Sequence, residues 1–131
     1  MARKIVDPRQ LPKPMGPYSH FAVAEGSKLV FISGQVPQDA NGQLVGRGDI
    51  AAQTRQVLAN IQAAVEASGG TIHYIKKLTV LMVELAPAAY AAGAEARREF
   101  FQGEYPASTL VQVKALASPD WLIEIEACAV I

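Results

Sequence analysis

Few residue types in this chain of 131 residues can do chemistry, and most of them stand alone. The two histidines, His20 and His73, fall in no ligand-spaced motif, so no metal site is predicted. Cys128 is the single cysteine. It excludes an intrachain disulfide and any Cys-rich metal motif, and in mid-strand it reads as a small buried hydrophobe. Gly42, Gly46 and Gly48 give a loose glycine-rich loop, but no Lys-Ser/Thr ending makes it a P-loop, and no dinucleotide fingerprint is present. A Ser33–His20–Glu triad has no spacing to support it. That leaves two carboxylates, Glu124 and Glu126, alternating with Ile123, Ile125 and Ala127. In a partly desolvated cleft, Glu124 would serve as a general base for water or a proton relay. The alternative is that both carboxylates form a polar lining that faces water or a partner strand.

Composition narrows the classes further. Half of the residues are hydrophobic and 18% are charged, as in a globular chain, and the length suits one domain over residues 1–131. Twelve basic residues balance twelve acidic ones. A net charge near zero gives no global attraction to nucleic acid or anionic membrane, and it favours self-association. No run approaches the ~18 apolar residues of a membrane span. The first residues, Met-Ala-Arg-Lys-Ile-Val-Asp-Pro, turn polar before any signal-peptide core. The chain is therefore read as complete, cytoplasmic and free of cofactor.

The elements that must position these residues follow from local chemistry. Pro8, Pro12, Pro14 and Pro17 make residues 1–15 an extended arm, with a short edge strand near Lys4–Val6. Ser19–Ala24 and Leu29–Val36 read as strands of a hairpin, with Gly26 in the turn at positive φ. Pro37 ends the second strand, Asn41-Gly42 marks a turn, and Leu44–Val45 forms a short strand back across it. Asp49 caps a helix over Ile50–Ser68, which Gly69-Gly70 stops. Tyr74–Leu85 is a long strand, and Pro87 opens a second helix to about Gln102, with Tyr90, Ala94, Arg97 and Phe101 along one side. Ala107–Ala115 and Trp121–Ile131 are the last strands. The order defines an α+β sheet with two helices on one face.

Two helices cover only one face of such a sheet. Yet Leu78, Val80 and Met82 oppose Thr79, Leu81 and Val83, and Leu29 and Phe31 oppose Val30 and Ile32. Both faces are apolar, where a solvated face would alternate with polar residues. The predicted cover is another copy of the chain; the alternative is the N-terminal arm.

Several segments in order carry a resemblance: Gly16-Pro17-Tyr18-Ser19, Ser33-Gly34-Gln35-Val36-Pro37, Gln53-Thr54 with Asn60, Tyr105-Pro106-Ala107, and Ile123-Glu124-Ile125-Glu126-Ala127. From about Gly16 to Ile131 the chain resembles the Rid family (RidA/YjgF, reactive intermediate deaminases). The resemblance implies a chorismate-mutase-like fold with a mixed, mainly antiparallel sheet, assembled as a homotrimeric barrel with sites in clefts between subunits. It also implies a small-molecule substrate, an imine or enamine hydrolysed to a ketoacid and ammonia. Carried across, the family's tyrosine falls on Tyr18, its serine and glycine on Ser33 and Gly34, and its water-positioning glutamate on Glu124. Its asparagine falls on Ala94, and the small residue or cysteine beyond its arginine falls on Leu110. The carboxylate-clamping arginine falls on Ser108, which would sit at the floor of the site.

A hydroxyl does not replace a bidentate guanidinium, and such a loss forfeits roughly tenfold to a hundredfold in binding. Gln112 and Lys114 share the strand face of Ser108, but at ~3.3 Å per residue Lys114 lies about 20 Å away. Arg97 or Arg3 of a neighbouring subunit is the other candidate substitute. Three functions follow: hydrolytic deamination with a differently anchored substrate, non-catalytic binding of a small molecule in the same cleft, and the ribonuclease role attached to the family. Neutral charge and the lack of a stacking platform disfavour the last.

Overall fold

A computed structural model of the chain describes residues 10–131 and the backbone of residues 4–5. Positions 1–3 and 6–9 of the expected arm, Arg3 included, lie outside the described residues.

The helices begin and end where the local chemistry demands. Helix α1 spans Ile50–Ala67, and the Asp49 carboxylate accepts the Ala52 N–H at 3.1 Å. Thr54, Val57, Leu58, Ile61 and Val65 form its buried stripe, at the helical spacing of an amphipathic segment. Beyond Ser68, Gly69 takes φ +93° and the Gly70 N–H bonds to the Val65 carbonyl at 3.0 Å. Helix α2 spans Pro87–Phe101 with its proline in the first turn, and Gln102 closes it in the left-handed conformation. It packs on α1 and buries Gly93, Ala94, Ala96, Arg97 and Phe101.

The described strands are β1 (Lys4–Ile5), β2 (Ala22–Val23), β3 (Leu29–Gln35), β4 (Ile75–Met82), β5 (Ala107–Gln112) and β6 (Ile123–Val130). Four of them form a mixed sheet in the order β3-β6-β4-β5, with β4–β5 parallel and the other pairs antiparallel. The buried face of β6 carries Ile123, Ile125, Ala127 and Ala129, and that of β4 carries Leu78, Val80 and Met82. These residues meet the α1 stripe in one core. Truncating a fully buried Ile here to Ala would cost about 2–5 kcal/mol.

The expected hairpin is not formed. Strand β2 pairs with β1, Lys4 opposite Val23, while β3 pairs with β6. The connection is instead held by the C-terminus: Ser27 and Lys28 donate to the Ile131 carbonyl at 3.2 and 3.0 Å, and Ile131 donates back to Lys28 at 2.9 Å. Gly26 is needed for close approach rather than for positive φ, because a Cβ there would lie 2.9 Å from the Ile131 oxygen. The strands are also shorter than expected. Tyr74 belongs to a 3₁₀ turn, Ile72–Tyr74, and Leu44 makes one bridge, to Gln38. The Asn41-Gly42 turn forms as expected, with Gly42 at φ +76° and the Asp39 carboxylate accepting from Asn41 and Gln43.

Both helices lie on one face of the sheet. On the other, Leu29 and Phe31 are 63% and 78% exposed. This face, where Leu29, Phe31 and Leu81 stand among Lys77, Glu124 and Glu126, is without cover among the described residues.

Candidate functional site

The residues singled out in the sequence fall into two groups on opposite faces of the sheet. The first gathers at edge strand β5. Ser108 and Leu110 stand opposite Leu78 and Val80 of β4, so they share the helix-side face. With Tyr18 they line a cavity of about 390 Å³ between β5, α2 and the loop at Met15–Tyr18. Ser108 therefore does sit in the wall of a cavity.

The Gly-Pro-Tyr-Ser block reaches this place through its serine. Ser19 N–H donates to the Pro106 carbonyl at 3.0 Å, its hydroxyl donates to the Tyr105 carbonyl at 2.5 Å, and Ser19 bridges Ala107 in parallel. These bonds dock the loop beside the start of β5, so Tyr18 stands next to Ser108. Tyr18 itself packs edge-on against His20, with ring centroids 5.7 Å apart. Gly16 is required for close approach: a Cβ there would lie 2.6 Å from the Tyr90 hydroxyl, which closes the same cavity from α2.

The second group lies on the open face. Glu124 stands opposite Leu81, and Glu126 opposite Thr79. Between the Ile32–Ala127 and Gln35–Ile125 pairs, Ser33 and Gly34 oppose Glu126 alone, which is a β-bulge. The bulge turns the Gly34 backbone onto Glu124 so closely that a Cβ at position 34 would overlap the carboxylate. Ser33 is exposed and, with Phe31, Lys77 and Cys128, lines a shallow hollow of about 320 Å³. Lys77 donates to the Thr109 hydroxyl at 2.6 Å across this face.

Ala94 belongs to neither lining. It is buried on α2, where its neighbours in the helix, Tyr90 and Arg97, face the β5 cavity. Arg97, one of two candidate substitutes considered for a neighbouring subunit, lines the cavity of Ser108 within the same chain. It is 3% exposed, and its Nη1 has no hydrogen-bond partner. Burial lowers its pKa; the Tyr90 phenol opposes that shift and Arg98 adds to it. The available signal was a charged residue on the packing side of an Ala-rich helix. Gln112 is occupied elsewhere, accepting the Leu85 N–H at 3.0 Å, and Lys114 lies beyond the end of β5.

Two motif residues prove structural. The buried Gln53 amide donates to the carbonyls of Gly46 and Asp120 at 3.1 and 2.9 Å and accepts from Leu122 N–H at 2.8 Å. Asn60 donates to the Val36 and Gln38 carbonyls at 3.1 and 2.9 Å. Among the described residues no cluster of three or more His, Cys, Asp or Glu is placed to hold a metal ion. No helix there is long and apolar enough to cross a membrane.

The two helices on one face of a mixed four-stranded sheet define a chorismate-mutase-like α+β protein. Residues 8–131 match the family model described as Endoribonuclease L-PSP, and the chain belongs to this family, the Rid (YjgF/RidA) family. It is 40% identical over 127 residues to a RutC family protein of Pyrococcus horikoshii, covering 97% of both chains. It is 35% identical over 129 residues to the 3-aminoacrylate deaminase RutC of Acinetobacter baylyi, covering 98% of both. Among solved structures, the Rid family protein YyfB of Yersinia pestis superposes with a TM-score of 0.92 at 36% identity, covering all of both chains.

Proposed function

We propose that this protein is a hydrolytic deaminase of a reactive enamine or imine, working in clefts completed between the subunits of a homotrimer. The observation that carries the reading is the division of the site. Tyr18 and Ser108 lie on the helix side of the sheet, whereas Ser33, Gly34 and Glu124 lie on the open face. One chain cannot join the two groups. A second copy seated on the uncovered face can bring its Glu124 to the Ser108 cavity of the first. The deaminase named among the relatives supports the reaction class.

In this reading Glu124 takes a proton from water as the oxygen adds to the imine carbon. That proton passes to the nitrogen to give a carbinolamine; Glu124 then carries the carbinolamine hydroxyl proton to the nitrogen, the C–N bond breaks, and ammonia leaves a carbonyl product. An enamine first tautomerises to the imine by protonation at carbon. Tyr18 donates a hydrogen bond to the bound substrate, and the Ser33–Gly34 bulge keeps Glu124 in place.

The test is ammonia release from a panel of freshly generated imines and enamines, charged and neutral, 3-aminoacrylate among them. Acceleration of at least one of them, lost in Glu124→Gln, is the expected result. No acceleration across the panel overturns the reading. Binding without turnover is the second reading, favoured by the hydroxyl of Ser108 where the family arginine is expected. It predicts a raised melting temperature with ligand and no ammonia.

A further inference from the structure

Arg97 is costly to the folded chain as it stands. A guanidinium stays charged at neutral pH, and a buried charge without a counter-ion is strongly unfavourable. Arg97 Nη1 is the one buried side-chain nitrogen or oxygen without a hydrogen-bond partner among the described residues. No described acid pairs with Arg97 either: the α2 carboxylates Glu95 and Glu99 pair with Arg98 and Arg55 on the exposed side.

The rest of the cavity suits a small monoanion. Opposite Arg97 are Ser108 and the apolar Leu110, with the phenols of Tyr18 and Tyr90 beside them, while the Thr109 hydroxyl turns to Lys77 on the open face. None of the lining residues is acidic. One planar cation among neutral hydroxyls matches a carboxylate in charge and in its two-pronged geometry. A phosphate dianion would call for more positive charge than a single guanidinium supplies.

We propose that Arg97 is the carboxylate anchor of this cavity, supplying from helix α2 the charge that position 108 on β5 lacks. The ligand that Arg97 holds then carries a carboxylate. This assignment rests on the proposed deaminase reading for the reaction, but not for the binding.

The test separates the two. Calorimetric titration with 2-oxobutyrate and with its uncharged amide reads the anchor without any turnover. The wild-type protein is expected to bind the acid at least tenfold more tightly than the amide. Arg97→Met should abolish that preference while binding of the amide stays within a few-fold of the wild type. Removing an arginine with a merely structural role would weaken acid and amide alike. Leu110→Glu, which supplies a resident counter-ion, should block the acid even if Arg97→Met does not fold. Equal binding of acid and amide, no binding of the acid, preference retained in Arg97→Met, or binding of inorganic phosphate alone each overturns the proposal. Loss of preference in Arg97→Met with no imine turned over would keep the anchor and discard the deaminase. Turnover of carboxylate imines unchanged in Arg97→Met would do the reverse.

Discussion

Gly34 and Glu124 are locked together by the bulge in β3: the glycine backbone occupies the space that any side chain at position 34 would have to share with the carboxylate. The Glu124 side chain is flexible at its far end, so a methyl at position 34 would displace it rather than unfold the sheet. Gly34→Ala should therefore keep the melting temperature within a few degrees of wild type. Deaminase turnover should fall roughly 100-fold, as expected when a reacting group is misplaced by about 1 Å. Parallel melting and ammonia-release assays decide this. A large loss of stability with normal specific activity would show that the contact is structural.

Gln53 joins three separate parts of the chain with one amide: the loop at Gly46, the turn at Asp120 and the start of β6 at Leu122. The residue is fully buried, so its removal leaves the Asp120 carbonyl and the Leu122 N–H unpaired, while the Gly46 carbonyl keeps the Asp49 N–H. At about 1 kcal/mol for each bond, with a further penalty for the stranded groups, Gln53→Ala should cost about 3–5 kcal/mol. Chemical denaturation measures it directly. A cost below about 1 kcal/mol would mean that water replaces the amide.

The fold was legible wherever the signal is local. Asp49, Gly69 and Pro87 bound their helices through capping chemistry within a few residues. The alternation Ile123–Ala129 marks the buried face of β6 by its period alone. The pairing of β2 was not legible, because the connection at Ser27–Lys28 is decided by Ile131, about a hundred residues later. The site divides the same way. The residue types of Tyr18, Ser108 and Glu124 are visible in their motifs. That Ser19 docks Tyr18 beside Ser108, or that β5 and β6 turn Ser108 and Glu124 to opposite faces, depends on register. Arg97 was visible as a helix-face residue, but its place in the cavity depends on packing between α2 and β5.

Phe31 projects from the open face at 78% exposure, beside Leu29. In an isolated chain it makes little contact, so Phe31→Asp should leave the fold of one subunit intact. If the face is buried against other copies, a carboxylate there loses its water, a cost of several kcal/mol that Lys77 in the same hollow offsets only in part. Sedimentation should find the wild type as a trimer and Phe31→Asp as a monomer. The monomer should also lose deaminase turnover, because its cavity lacks the partner's glutamate. Full activity in a proven monomer would refute a site shared between subunits.

Arg97 and Ser108 face one cavity from different elements, so a charge on the strand should be felt by the charge on the helix. Ser108→Arg restores the residue type expected from the family resemblance but places a second guanidinium beside Arg97, where the same chain supplies no acid. Like charges at close range in a partly desolvated space repel by up to a few kcal/mol. Ser108→Arg alone should therefore melt below the wild type, and adding Arg97→Met should bring the melting temperature back up. The double variant should also regain the preference for acid over amide that Arg97→Met alone loses, with the strand now supplying the anchor. The double-mutant cycle provides the check. Stability effects that add within about 0.5 kcal/mol would show that the two side chains do not interact. Restored preference would establish that one cation is what the cavity requires, whichever wall carries it.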